Sequence, residues 1–264
     1  MAELDPTILS FYGERYDEDQ RLVTSRRGQL EFRRTQQLLR RCLPAPPATV
    51  LDVGGGTGIH ARWLVDDGYD VHLIDPVARH IAQASTCPGF TSAIGDARSL
   101  SAADQSFDVV LLLGPLYHLT DSCDRERALT EAGRVTRPGG HIAVAAISRY
   151  AALLELAGFG ELDDSTAAEV IRLIETGINQ DDPNGFTTAY FHRAEDLAHE
   201  MTSAGLTAVH VVGVEGPSIP ALDNASPESA ANVFASAVRC AELVEADPAL
   251  ISASPHFLGF GRVT

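Results

Sequence analysis

The stretch that most constrains this chain is Val50-Leu51-Asp52-Val53-Gly54-Gly55-Gly56-Thr57-Gly58. It begins as a buried strand over residues 49–53 and runs through glycines into a helix read from about Ile59 to Asp67, which Gly68 ends. Glycines between a strand and a helix let the backbone turn tightly and let a ligand approach the main chain closely. The alternation continues downstream. Val71–Asp75 reads as a second strand, broken by Pro76, and a helix around Ala78–Ala84 follows. A short strand near Phe90–Ile94 comes next, then strongly apolar strands at Phe107–Leu113 and His141–Ile147, the latter introduced by Pro138-Gly139-Gly140. Short apolar strands alternating with helices predict an α/β fold with a parallel sheet covered on both faces.

The flanks are less regular. Leu30, Phe32, Leu38 and Leu39 interleave with Arg33, Arg34, Arg40 and Arg41, an amphipathic helical pattern that Pro44-Ala45-Pro46-Pro47 stops. Residues 148–188 interrupt the strand–helix alternation, with a helical period only at Ala167–Ile178, and read as a cap over the edge of the sheet. Alternation resumes with a helix at Ala194–Ala204, a strand at Ala208–Val214, a helix at Pro227–Ala246 and a last strand at His256–Val263. The expected organisation is one domain over residues 1–264: a helical lid (1–47), a core (48–147), a cap insertion (148–193) and the remainder of the sheet (194–264).

Composition removes several kinds of chemistry. The chain has 264 residues, a formal charge of −16 and no lysine, all 20 of its basic residues being arginine. Schiff-base chemistry and the phosphate-loop lysine are therefore excluded. The acidic balance speaks against a nucleic-acid partner, because tracking phosphates takes clustered Lys and Arg. Cys42, Cys87, Cys123 and Cys240 lack paired spacing, which predicts reduced thiols, a cytoplasmic location and no metal site. No apolar run reaches the length of a membrane span and no basic amphipathic helix suggests a membrane surface, so no membrane partner is expected. A monomer and a homodimer are equally compatible with the sequence.

The acids around the glycine loop narrow its ligand. Counting from Gly54, the third glycine of a dinucleotide fingerprint falls on Ile59, so the spacing disfavours NAD. Asp52 sits just before the loop, where a carboxylate repels a pyrophosphate but suits a ligand bearing an ammonium and a sulfonium. Asp75 ends the second strand at a spacing that suits an acceptor of ribose hydroxyls. Asp96 ends the third strand, placed to take an adenine amino group. Aspartates at strand ends also cap turns, but three at successive strand ends beside one glycine loop point to a ligand.

With these residues in place the chain resembles the class I S-adenosylmethionine-dependent methyltransferases, over roughly Thr49–Ile147 and the final strands, and is similar to bacterial small-molecule members. The resemblance implies a Rossmann-like, mostly parallel sheet of seven strands whose last, His256–Val263, is antiparallel. It implies that Gly54, Gly55 and Gly56 wrap the methionine part of S-adenosylmethionine, that Asp75 and Pro76 hold the ribose, and that Asp96 and Ala97 meet the adenine. Leu113 and Gly114, at the end of the fourth strand, complete the cofactor set. Arg134-Val135-Thr136-Arg137-Pro138-Gly139-Gly140 looks like the family's turn before its fifth strand. In the lid, Tyr12, Tyr16 and Arg34 are candidate cofactor contacts, Arg34 with the carboxylate.

Ligands of open α/β sheets bind beyond the carboxyl ends of the strands. That places Tyr117 and His118, in Leu113-Gly114-Pro115-Leu116-Tyr117-His118, near the expected methyl group, with His118 as a candidate general base. His192, Glu215 and His256 flank strand ends or the cap and are candidate acceptor-binding residues. The expected reaction is methyl transfer from S-adenosylmethionine to O, N or C of a small molecule, leaving S-adenosylhomocysteine. The alternative is a protein of the same fold that binds the cofactor and catalyses a non-methylating reaction such as a cyclisation.

Overall fold

The computed structural model describes residues 6–12, 18–182 and 186–264. In chain order the elements are α1 (Pro6–Ser10), α2 (Glu18–Thr24), α3 (Arg26–Cys42), β1 (Thr49–Val53), α4 (Ile59–Asp66), β2 (Asp70–Asp75), α5 (Ala78–Ala84), β3 (Phe90–Ile94), β4 (Phe107–Leu112), α6 (Pro115–His118), α7 (Ser122–Val135) and β5 (Thr136–Ile147). There follow α8 (Ala151–Phe159), α9 (Asp164–Thr176), β6 (Ile178–Asn179), β7 (Ala189–Tyr190), α10 (Ala194–Ser203), β8 (Thr207–Gly213), α11 (Ile219–Asp223), α12 (Ala230–Val244) and β9 (His256–Arg262).

Seven strands form one sheet in the order β3-β2-β1-β4-β5-β9-β8. All adjacent pairs from β3 to β5 are parallel, and β9 runs antiparallel to both β5 and β8. This is the mostly parallel sheet with one reversed strand that the family resemblance implies. The order turns back between β1 and β4, which puts the topological switch point, and any ligand crevice, at their carboxyl ends.

Strand alternation divides the core in two. Leu51, Val53, Val110, Leu112, Ile142 and Val144 face α7 and α10, meeting Ala128, Leu129, Leu197 and Met201. Val50, Val71, Leu73, Val109, Leu111 and Ala143 face α3 and α4, meeting Leu38, Leu39, Ala61, Trp63 and Leu64. Because both faces are covered, β4 is apolar along almost its whole length. A third cluster fixes α11 and α12 to α3 through Leu30, Ile219, Leu222, Ala237 and Val238. Ser25 caps α3 by accepting from the Gly28 amide at 3.0 Å, and Asp163 caps α9 through Ser165 and Thr166.

The structure refines several boundaries. β5 begins at Thr136, which pairs with Phe107; residues 137–140 then bulge out before His141 pairs with Val109. The cap contains two helices where the sequence shows one period. α8 has no fully buried residue: its apolar side chains line a cavity, so it shows no core-facing stripe. α9 ends at Thr176 because Gly177 takes the left-handed conformation. An arginine clamp holds the cap. Arg149 donates to the carbonyls of Phe191 (2.6 Å) and Ile174 (3.1 Å) and to the Tyr190 hydroxyl. Arg125 donates to the carbonyls of Leu119 and Thr120, forks onto Glu200 and lies 3.8 Å from the centre of the Tyr190 ring.

Arg34 departs from its expected role. It is buried on α3, donating to the Val214 carbonyl at 3.2 Å, to Gln37 at 2.8 Å and to Glu245 at 2.5 Å. It does not line the cavity beside the glycine loop. Its place on the apolar face of α3 turns it toward β8 and α12, where its donors join three segments. Arg34→Ala is expected to cost on the order of 3 kcal/mol, read from the denaturant midpoint, and to leave S-adenosylhomocysteine affinity unchanged in the folded fraction.

Candidate functional site

A cavity of about 1310 Å³ opens at the carboxyl ends of the strands, between the glycine loop, the lid and the cap. The loop is fixed by the end of β2. Gly54 N and Gly55 N donate to the Ile74 carbonyl at 2.7 and 3.2 Å, and Gly56 N donates to Asp75 at 2.9 Å. At Gly55 a Cβ would stand 2.6 Å from the Asp52 carboxylate and 2.7 Å from Leu73, and at Gly54, whose φ is +69°, 2.7 Å from Pro115. Both positions therefore require glycine.

Asp52 lies beneath this loop with 0% exposure, and neither carboxylate oxygen has a hydrogen-bond partner among the described residues. Burial, with the nearby charge of Asp75, pushes its carboxyl up to about 7. An unsatisfied buried carboxylate is costly, and a cationic group in the adjoining cavity offsets that cost. Asp75 also borders the cavity, but its oxygens already accept from Gly56 N, from Val77 N at 2.8 Å and from His80 Nδ1 at 3.1 Å. His80, which the sequence reading passed over, thus sets the orientation of Asp75; its signal was only a position five residues after the acid. Asp96 is held by Arg98 Nη2 at 2.7 Å. Against the upward push of burial, the Arg98 hydrogen bonds keep its carboxyl below the ordinary value. Pro76, Ala97, Leu113 and Gly114 also border the cavity.

Tyr117 and His118 form part of the wall. The Tyr12 hydroxyl and His118 Nε2 share a hydrogen bond at 2.8 Å, and their rings meet edge to face at 5.1 Å, with Phe186 at 5.9 Å from the imidazole. Burial pushes His118 down to about 4, which makes it a poor proton acceptor near neutrality. Tyr16 lies outside the described residues.

His192 is fully buried and turned away from the cavity, its Nε2 3.2 Å from Glu200 in the clamp that holds the cap. It therefore does not face an acceptor. Its neighbour Phe191 does border the cavity. Glu215 and His256 both border it and are brought together: His256 Nδ1 lies 2.5 Å from Glu215, and the backbone N of His256 donates to the same carboxylate at 3.1 Å. Glu31 of α3 stands 3.8 Å from Nδ1 and is paired with Arg21 of α2. Neither residue carried a motif that marked it.

The glycine cradle, the orphaned carboxylate under it and the acids at the ends of β2 and β3 fit S-adenosylmethionine, whose methionine, ribose and adenine parts they would hold if they act as the family resemblance implies. The profile described as "Methyltransferase domain" matches residues 51–144. The chain is 30% identical over 185 residues to a ubiquinone/menaquinone biosynthesis C-methyltransferase of Acidiphilium cryptum, covering 66% of this chain and 72% of that protein. The chain belongs to the S-adenosylmethionine-dependent methyltransferase family. It is also 31% identical over 157 residues to an uncharacterized methyltransferase of Mycobacterium tuberculosis, a match spanning 58% of this chain and 59% of that relative. Among solved structures, a methyltransferase of Thermotoga maritima described as a possible histamine N-methyltransferase shares the fold with a TM-score of 0.60, at 21% identity over 97% of this chain and all of that one. A (4+2)-cyclase shares it with a TM-score of 0.54, at 19% identity over 88% of this chain and 80% of that one.

The raised Asp52 carboxyl links to stability. The folded protein keeps a proton there that the unfolded chain releases near its ordinary value, so stability is greatest below about pH 4 from this group and is lost as pH rises to about 7. Asp52→Asn is expected to remove that slope, making the variant more stable than the ligand-free parent at pH 8 by up to a few kcal/mol. Urea midpoints of the two proteins from pH 4 to pH 8 check this.

Proposed function

We propose that this chain transfers the methyl group of S-adenosylmethionine to a small-molecule acceptor bound under the cap. The observation that carries this reading is the buried carboxylate of Asp52, unpartnered among the described residues, on the floor of a glycine-lined cavity. A dinucleotide offers this position a pyrophosphate, which it repels; a ligand with an ammonium and a sulfonium satisfies it. When bound, the cofactor supplies an activated methyl group. The protein's contribution is to hold the two reactants in line and exclude water, and positioning alone accounts for a large part of such catalysis. Tyr117, His118, Leu113 and Gly114 wall the region where the methyl group is expected, with the Tyr12–His118 hydrogen bond closing the lid side. Phe159, Leu173 and Phe191 of the cap side give the acceptor region an apolar lining, suited to a ring or chain and not to a polyanion. The Acidiphilium relative acts in quinone biosynthesis by its name, which supports an acceptor with an apolar body.

A cyclase shares the fold, but the methyltransferase relatives favour methyl transfer, and formation of a methylated product separates the two reactions. The first experiment is a thermal-shift series with S-adenosylhomocysteine, S-adenosylmethionine and NAD. A ligand at about 100 times its dissociation constant stabilises by roughly 2.7 kcal/mol, so a rise of a few degrees is expected with the two adenosyl ligands and none with NAD. No response to either adenosyl ligand, with calorimetry agreeing, overturns the reading. Asp75→Ala is expected to weaken S-adenosylhomocysteine binding by about 1–3 kcal/mol, since it removes both the ribose acceptor and the anchor of Gly56; an unchanged dissociation constant in calorimetry would remove Asp75 from the site.

A further inference from the structure

His256 opens β9 on the antiparallel side of the switch point, opposite Ile147 at the carboxyl end of β5. Two carboxylates flank its Nδ1. Glu215, 2% exposed on its side chain, stands at 2.5 Å and Glu31 at 3.8 Å. Glu215 is itself held: Ser254 Oγ donates to it at 2.8 Å, as does the His256 backbone N. Nδ1 therefore carries its proton toward Glu215. Nε2 makes no hydrogen bond among the described residues, and the imidazole, about a quarter exposed, forms part of the cavity wall. Leu22, Val214, Pro217 and Ile219 contribute apolar surface to the same cavity.

From this geometry we infer that His256 is the general base for the acceptor, that Glu215 is the residue that positions it, and that the acceptor reacts through a phenolic hydroxyl. The inference rests on the methyl-transfer reading above. The acceptor oxygen passes its proton to Nε2 and uses the freed lone pair to bond the methyl carbon; the carbon–sulfur bond breaks and its electron pair stays on sulfur. The proton remains on the imidazole, whose positive charge the two carboxylates hold.

The charged groups facing His256 are Arg21 of α2, Glu31 of α3 and Glu215 just after β8, and His60 of α4 acts in turn on Glu31. Burial opposes a charge on the ring, but Glu31 and then Glu215 overcome it and raise His256 to about 9. A phenol, with an ordinary pKa near 10, exchanges its proton with such a base at little cost. The ligand atoms of Glu31, Glu215 and His256 also lie within 4.8 Å of one another, as a metal site requires. Arg21 occupies both oxygens of Glu31, however, and holds its carboxyl down to about 2 against the effect of burial. A cation would have to displace a guanidinium, so the cluster is read as a proton site.

The test has a spectroscopic arm and a kinetic arm. In the wild-type protein with S-adenosylhomocysteine bound, nitrogen NMR of the His256 ring is expected to show titration well above the ordinary histidine range and a neutral form protonated at Nδ1. Glu215→Gln should lower that pKa. A neutral wild-type ring protonated at Nε2 would overturn the inference, and that observation does not depend on the folding of any variant. In the kinetic arm, S-adenosylhomocysteine formation is followed with catechol, hydroquinone and 4-nitrophenol as acceptors. The expected result is turnover of at least one, with kcat rising as pH rises toward 9. His256→Gln should lower kcat by about 10²–10⁴-fold without changing S-adenosylhomocysteine affinity. Overturning results are no turnover of any phenol by protein that binds S-adenosylhomocysteine, a wild-type kcat in His256→Gln, or loss of activity on chelation with EDTA. Failure to bind S-adenosylhomocysteine at all would overturn the underlying methyl-transfer reading instead.

Discussion

The carboxyl edge of the sheet is organised around a buried carboxylate, Asp52, that has no hydrogen-bond partner among the described residues. The loop amides that follow Asp52 are committed elsewhere: Gly54 and Gly55 donate to Ile74, and Gly56 donates to Asp75. The end of β2, not a ligand, therefore sets the loop's shape, and Asp52 is the group left over. Inside a packed core such a group keeps its proton or takes a cation. Here one side is an open cavity, so the structural cost of the carboxylate and its affinity for a cationic ligand are one property. The glycine at position 55 follows from the same constraint, since a side chain there would fill the space over the carboxylate.

Two histidines on this cavity show how environment, and not residue type, assigns chemistry. His118 stands among Tyr12, Tyr117 and Phe186, with no carboxylate hydrogen-bonded to it among the described residues, and is driven toward the neutral form. His256 stands between Glu31 and Glu215 and is driven toward the charged form. The sequence places His118 next to the expected methyl group and makes it the natural base. The environment favours His256 for holding a proton, leaving His118 to shape the wall and to meet the lid through Tyr12.

The parts legible in the sequence are those where a local pattern has one physical cause. β1, β4 and β5 are readable because burial on both faces makes them continuously apolar, and the glycine loop because turn and close approach both demand glycine. The direction of β9 came through the family resemblance, since its composition does not encode it. Elsewhere one pattern has two causes. Arg34 on an apolar helix face reads as a ligand contact or as an internal crosslink, and the three-dimensional neighbours Val214 and Glu245, about 180 and 211 positions away, decide for the crosslink. His192 and His256 both flank strand ends, yet one turns to Glu200 and the other to the cavity. α8 has an apolar composition without a stripe because the cavity it borders replaces a packed face.

The absence of lysine, which first serves to exclude chemistry, also explains how the cap is held. An ammonium is a point charge with three donors on a flexible stem, whereas a guanidinium offers five donors in a fixed plane and an apolar face for stacking. Arg125 satisfies two carbonyls and a carboxylate while lying over the Tyr190 ring, and Arg149 reaches two carbonyls and the Tyr190 hydroxyl. Each joins segments distant in sequence at a point where loop carbonyls would otherwise be buried unpaired. Replacing either with lysine would keep the charge and lose the crosslink. The cap over the acceptor region is thus positioned by a polar network of planar cations, so the apolar side chains beneath it remain available to line the cavity.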